Sequence, residues 1–366
     1  MLEISAGHSV PGEAMDQFAP RTDTLSPENL TPRLYQRINY RWWILSIGVG
    51  LCLAAIPAIS LINSSVVTST HVTLECTPQA GTAAVYQAKL RGYFAAEGLN
   101  IFINDHLTGR NALTAMVDKG SGYSTCADTP FTMAYSQGAP LAIIAQTGHT
   151  SKFIRVIGRR DRGLTEIPTS LVGHRVGVTL GTNAEYVIYT TCLLFDIAQD
   201  QVTIVDLKAD QLEGALLTGT VDAVAMWEPF ASRTAEVIGD QGVQVKISDF
   251  YRSMWLLVAH SGKRDPHCER ALLRALIRAT DDLNGDCEQW LEPLAREMGR
   301  TTNEMRHDLQ QTRSRITLDQ SLLLELEAQR RWLNLSGPEI YDGLSPRSLS
   351  EVAPEAVTLI HPLVVP

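Results

Sequence analysis

The chain has 366 residues, of which 45% are hydrophobic and 19% charged, with 17 prolines. That is enough apolar material for two lobes with separate cores, and it excludes extensive disorder. A formal charge of −9 without a basic stripe argues against nucleic acid as a partner, because phosphate binding needs clustered Lys and Arg.

Residues 1–41 begin with a polar segment rich in Pro, Ser and Thr, "SAGHSVPGEAMDQFAPRTDTLSPENLTP", and are expected to be a disordered tail. An uncharged apolar run follows, "WWILSIGVGLCLAAIPAISLI" from Trp42 to Ile62. It is as long as a hydrocarbon core requires, so residues 42–62 are expected to form one transmembrane helix. Arg33, Arg37 and Arg41 precede it, and the next basic residue is Lys89. The positive-inside rule then makes the N-terminus cytoplasmic and places the rest outside. The competing reading is a cleaved signal peptide with Ala58 and Ser60 at its cleavage site. The span is favoured because signal h-regions are typically only about 7–15 residues long. Cys52 is read as a residue of the span, not a lipid-attachment site.

From Val72 the pattern changes to short apolar runs alternating with amphipathic stretches, which indicates parallel β/α units. "HVTLEC", "LNIFIND" and "YSTCA" are expected strands, separated by helices "TAAVYQAKLRGYFAAEG" and "NALTAMVDKG". "FTMAYSQG" is a further helix, and "LAIIAQT" and "FIRVIGR" are strands that end the opening section. The pattern then restarts with strand "HRVGVTL", a helix over 183–198, strand "VTIVDL", helix "DQLEGALLTG" and strand "VDAVAM". Laying Gly120 on Gly219 brings Pro130 onto Pro229 and Phe131 onto Phe230, so one device is used twice. Strands "VQVKI" and "MWLLVAH" lead onward. The expected organisation is a first lobe of 72–158 and 245–335, a second of 159–244, a cleft between them, and a tail over 336–366. Residues 266–334 read as helical, with Asp265 as a cap and Thr301/Glu304 and Thr317/Gln320 at capping-box spacing.

Five cysteines follow the apolar run, Cys76, Cys126, Cys192, Cys268 and Cys287. Cys76 with Cys126 is the preferred pair if a disulfide exists, and two free buried thiols are the favoured state.

Ligands of open α/β sheets bind beyond the carboxyl ends of the strands. That rule selects Thr77, Pro78 and Gln79, then Asp128 and Thr129, then Leu180 with Gly181, Thr182 and Asn183, then Trp227 and Glu228. In "TLGTNAEY" Gly181 permits a tight turn, and Thr182 with Glu185 has capping-box spacing, so free N–H groups there could hold an anion; equally, Thr182 could simply cap a helix. Trp227 could wall a ligand and Glu228 accept from an amine, or the one could be core and the other solvated. Tyr251, Trp255 and Arg110 are further candidates. Nothing resembles a nucleophile elbow, a phosphate loop or a His-Glu-x-x-His motif. No catalytic residue, metal site or cofactor is therefore expected, and binding is favoured over catalysis.

"AKLRGYFAAEGLNIFI", "ADTPFTMAYSQGAPLAIIAQT", "LVGHRVGVTLGTNAEYVI" and "GTVDAVAMWEPF" together resemble the periplasmic solute-binding proteins for nitrate, sulfonate and taurine and the related thiamine-pyrimidine-synthase-like proteins. The resemblance runs from about Val72 to about Leu335 and implies an α/β, type II periplasmic-binding-protein fold with a hinged cleft. It implies ligand contacts at the selected residues, and an ABC permease with its ATPase as partners in a bacterial inner membrane. Tethering by 42–62 departs from the usual cleaved signal. The linker of roughly nine residues to Val72 reaches only about 30 Å, which would hold the cleft near the membrane. The alternatives are a tethered receptor without transport and, less favoured, a pyrimidine-synthase-like enzyme, whose clustered cysteines have no counterpart here. A second departure is Tyr123, which stands where the second copy has Asp222. Acids and aromatics with one nearby cation, Arg110, fit a neutral or amine-bearing ligand as well as an anion.

Overall fold

The structure is a computed structural model and describes residues 70–247, 251–285, 288–318 and 320–336. The expected span at 42–62, both tails, Cys52 and Cys287 lie outside the described residues. Among the described residues no helix is long and apolar enough to cross a membrane.

The chain opens with β1 (Thr70–Cys76), which buries Val72, Leu74 and Cys76 by strand alternation. Helices α1 (Ala83–Leu90) and α2 (Tyr93–Ala96) lead to β2 (Leu99–Asp105). Thr108 caps α3 (Gly109–Lys119) by accepting from the Asn111 N–H, and Gly120 ends it in the left-handed region at φ 65°. β3 (Tyr123–Ala127) is buried at every position and runs into α4 (Asp128–Ser136). β4 (Leu141–Thr150) and β5 (Ile154–Arg159) follow. The device then repeats as β6 (Arg175–Val178), α5 (Asn183–Leu194), β7 (Thr203–Asp206), α6 (Leu212–Thr218), β8 (Ala223–Trp227) and α7 (Phe230–Ile238). Gly219 ends α6 at φ 74°, as Gly120 ends α3. β9 (Gly242–Val245) and β10 (Ser253–His260) precede α8 (Pro266–Asn284), α9 (Glu288–Glu297), α10 (Thr302–Gln311), β11 (Arg313–Thr317) and α11 (Gln320–Ser336).

Two sheets result. The first has the order β11-β4-β10-β3-β1-β2, and the second β7-β6-β8-β5-β9. In each, the middle member of three parallel strands is the first of its group (β2-β1-β3 and β7-β6-β8), and the third pairs with an antiparallel strand that crosses from elsewhere in the chain. One difference from the sequence reading follows. β5, placed at the end of the first lobe, pairs with β8 and β9 in the second sheet, because its apolar run is separated from β4 by only three residues that carry the chain across. The return crossing lies between β9 and β10.

β11 is a second correction. The stretch falls within residues 266–334, which read as helical with a cap at Thr317, yet "RSRIT" buries Ser314 and Ile316 and exposes Arg313 and Arg315, a strand period that adds an antiparallel edge to β4. Thr317 closes that strand and is not a helix cap. The other two caps form as expected. Asp265 accepts from the His267 and Cys268 N–H groups, and Thr301 exchanges bonds with Glu304.

The first sheet is covered by α1 and α8, whose Ala84, Ala88, Leu272 and Leu276 join Leu74 and Leu257 in one core. The second sheet packs Val156, Val176 and Ala225 against Val187 and Ile188 of α5. α11 belongs to both. Its Leu322 and Leu326 enter the core under α4, and its Trp332 and Leu333 enter the core of the second sheet. Cys76, Cys126, Cys192 and Cys268 are free, buried thiols.

Candidate functional site

The parallel strands of both sheets end toward one another, and the turns that follow them line a small cavity of about 20 Å³. The first sheet contributes Gln79 after β1, Thr108 to Arg110 at the start of α3, and Ala127 and Pro130 at the start of α4. The second contributes Thr182 and Asn183 at the start of α5 and Trp227 at the end of β8. Phe153, in the crossing before β5, completes the lining. Register explains the aromatic wall. Ile154 stands opposite Trp227 on β5 and β8, and the Glu228 N–H bonds the Phe153 carbonyl at 3.0 Å. Trp255 of β10 stands beside Ala127 and Gly148. Its indole Nε1 donates to Gln79 Oε1 at 2.8 Å, and it packs against Phe153 with ring centroids 4.7 Å apart. This indole occupies space that only glycine leaves, since a Cβ on Gly81 would fall 1.9 Å from it.

Gly181, with φ 76°, makes the turn into α5, and the Arg110 guanidinium lies over it. Arg110 Nη1 donates across the lobes to the Leu180 carbonyl at 3.2 Å. The expected capping box is replaced by a different arrangement. The Thr182 hydroxyl donates backward to the Thr179 carbonyl at 2.7 Å, and Glu185 accepts from the Gly181 N–H at 2.7 Å. The first turn of α5 therefore carries no side-chain cap.

Asp128 lies behind this lining as the centre of an interlobe network. Its Oδ1 accepts from Asn183 Nδ2 at 2.8 Å and from the Tyr251 hydroxyl at 2.7 Å, and its Oδ2 accepts from Gln329 Nε2 at 2.8 Å. Asn183 also bonds Tyr251, and Thr132 donates to Gln329 Oε1. Burial, then the nearby Glu325 carboxylate, push the Asp128 carboxyl up to about 7 against the pull of these donors. Helix α4, strand β10's approach, α5 and α11 thus meet on one carboxyl group.

The selected residues divide accordingly. Gln79, Thr182, Asn183 and Trp227 line the cavity, and Gly181 shapes its edge. Thr77 and Thr129 are buried beside it, Pro78 is half-buried, and Asp128 holds the lobes. Glu228 turns elsewhere. It accepts from Arg155 Nη1 at 3.2 Å and from the Ser232 N–H at 3.0 Å, and it lines a separate groove between α7 and α10. Tyr251 and Trp255 are buried structural partners of the site. Phe153 and Gln329 went unselected. Gln329 had a readable signal, a polar residue on the apolar stripe Leu322, Leu326 and Leu333. Phe153 had none, since it stands between strands. Roomier hollows, such as one of about 710 Å³ between α8 and β11, lie away from the strand ends.

Two β/α lobes meeting across a cleft at their strand ends form the periplasmic-binding-protein fold. Residues 79–289 match the model of the NMT1/THI5 like family, more than half of the chain, which belongs to that family. A comparison with curated proteins returns no match. Among solved structures, the alkanesulfonate-binding protein SsuA from Xanthomonas axonopodis pv. citri bound to MOPS is similar with a TM-score of 0.63 at 15% identity, covering 77% of this chain and 97% of that one. The periplasmic aliphatic sulphonate binding protein SsuA from Escherichia coli gives 0.63 at 16% identity, with coverages of 76% and 98%. A mutant of the desulfurization enzyme DSZB, in complex with biphenyl-2-sulfinic acid, gives 0.58 at 18% identity, with coverages of 79% and 97%.

Proposed function

We propose that this chain is a solute-binding protein that captures a small molecule between its lobes and delivers it to an ABC permease. The observation that carries the reading is the origin of the lining. Turns from both sheets supply it, so a molecule held there is gripped by both lobes, and capture and closure become one event. The SsuA structures, which are binding proteins of this fold, support binding over catalysis. Among the described residues, the lining holds no paired nucleophile and base of the kind that covalent catalysis uses. Residues 42–62 are proposed to tether the binding unit to the membrane with the N-terminus cytoplasmic, close to the permease.

The test is a thermal-shift screen of the full chain against nitrate, bicarbonate, sulfonates, taurine, aminopyrimidines and other small metabolites. A solute that binds only the folded state raises the melting temperature by mass action. A saturable rise with one chemical class is the expected result. A melting temperature that stays fixed across the whole panel counts against solute capture.

A further inference from the structure

Resting on that solute-binding reading, we infer that the cleft takes a monoanion with a planar aromatic body. The headgroup follows from what the lining offers. Three helices begin there: α3 at Gly109 and Arg110, α4 beside Ala127 and Pro130, and α5 at Thr182 and Asn183. Helix starts carry partial positive charge and unshared N–H groups, and neither α4 nor α5 has a side-chain cap. Arg110 adds a full positive charge at the rim, where Nη1 donates to the neutral Leu180 carbonyl. The indole Nε1–H of Trp227 is a second, independent sign. Trp227 is 5% exposed and lines the cavity, yet its N–H has no hydrogen-bond partner, and an indole nitrogen can only donate. A ligand that fills this space in place of water has to offer it an acceptor.

Acids are correspondingly turned away. None of the described lining residues is acidic. Asp128 is engaged by Asn183, Tyr251 and Gln329 behind the lining, Glu228 by Arg155 and Ser232, and Glu185 takes the Gly181 N–H. An ammonium group would find no ionised partner in the lining. The amine reading that the sequence left open loses its two carboxylates.

The body follows from shape. Phe153 and Trp227 put two aromatic rings into the lining, and Trp255 behind Phe153 is fixed by Gln79 and Gly81. The cavity of about 20 Å³ has no space for a further ring beside them, so room comes from parting the lobes. A flat ring asks for a gap of about 3.5 Å, one van der Waals spacing, whereas a bulky alkyl body asks for more. A flat body also keeps both rings in stacking or edge contact.

The experiment is calorimetric titration of the full chain with benzenesulfonate, benzoate, propanesulfonate and benzylammonium. Both aromatic anions should bind saturably, at least roughly tenfold more tightly than propanesulfonate, and benzylammonium should give no heat. Trp227→Phe keeps a ring and removes the donor, and should weaken benzenesulfonate on the order of tenfold; Arg110→Gln should weaken both aromatic anions. Propanesulfonate binding as tightly as benzenesulfonate, or benzylammonium binding at all, overturns the inference and leaves solute capture intact. So does a panel solute of another class binding when these probes do not. An unchanged affinity in Trp227→Phe overturns the donor assignment. A chain that binds no solute in the wider screen loses both the inference and the reading beneath it.

Discussion

At the scale of single residues, the burial of Asp128 ties stability to pH. Its carboxyl is pushed up to about 7, first by burial and then by Glu325, from an unfolded value of about 3.9. The folded state therefore holds the proton more tightly. The resulting stabilisation is fully present below about pH 4 and is lost as pH rises through about 7. Glu325, raised by burial as well, acts with the same sign, while Tyr186 and Tyr251 are pushed upward and stay neutral. Denaturant titrations of the full chain should show stability falling between about pH 4 and about pH 7, by on the order of a few kcal/mol, and levelling off above that. Asp128→Asn should flatten that profile, and parallel profiles for the two proteins would remove Asp128 as its source. Gly81 gives a second prediction at this scale. Its Cβ would fall within the Trp255 indole, so Gly81→Ala should displace that ring and break its bond to Gln79. Overpacking of this kind costs roughly 1–3 kcal/mol, read as a lower denaturation midpoint; an unchanged midpoint would mean that the indole moves freely.

At the scale of elements, α11 is the segment that joins the lobes. Leu322 and Leu326 bury in the core beneath α4, while Trp332 lies against Tyr186 and Tyr189 of α5, with centroids 5.0 and 5.9 Å away. Trp332→Ala removes a buried aromatic and should cost about 3–5 kcal/mol. A loss below about 1 kcal/mol in chemical denaturation would show that the helix end carries little of the docking. The same helix marks a limit of sequence reading. Its apolar stripe announces a packed face, but not that one end serves each lobe, because partner choice depends on long-range topology. The repeated β/α units were legible because Gly120 and Gly219, each ending a helix before a buried strand, punctuate the chain at equivalent places. β11 was not, since five residues with two buried side chains sit between two helices and carry little pattern. Strand-end geometry located Gln79, Thr182, Asn183 and Trp227, whereas the direction of Glu228 depended on Arg155, seventy-three residues earlier in the chain. The capping-box spacing of Thr182 and Glu185 was real, but the left-handed Gly181 brought its own N–H to Glu185 instead.

At the scale of the whole molecule, the closeness of the lobes governs how a ligand can enter. The cavity measures about 20 Å³, which is room for about one water, so a solute cannot enter without separation of the lobes. Arg110 to Leu180, the Asp128 network and Trp332 all hold them together, and each must be strained or broken on opening. The competent state is then the parted one, and apparent affinity falls with the fraction of molecules that occupy it. Stopped-flow binding monitored by tryptophan fluorescence should show an observed rate that levels off at high ligand concentration, at the rate of opening. Trp332→Ala loosens the joint without touching the lining, so it should raise that plateau while the dissociation step from the lining contacts changes less. Benzenesulfonate serves as probe if it binds; otherwise the solute found by thermal shift takes its place. A rate that climbs linearly with concentration in the unmodified chain, with no plateau, would mean that no slow parting of the lobes limits capture.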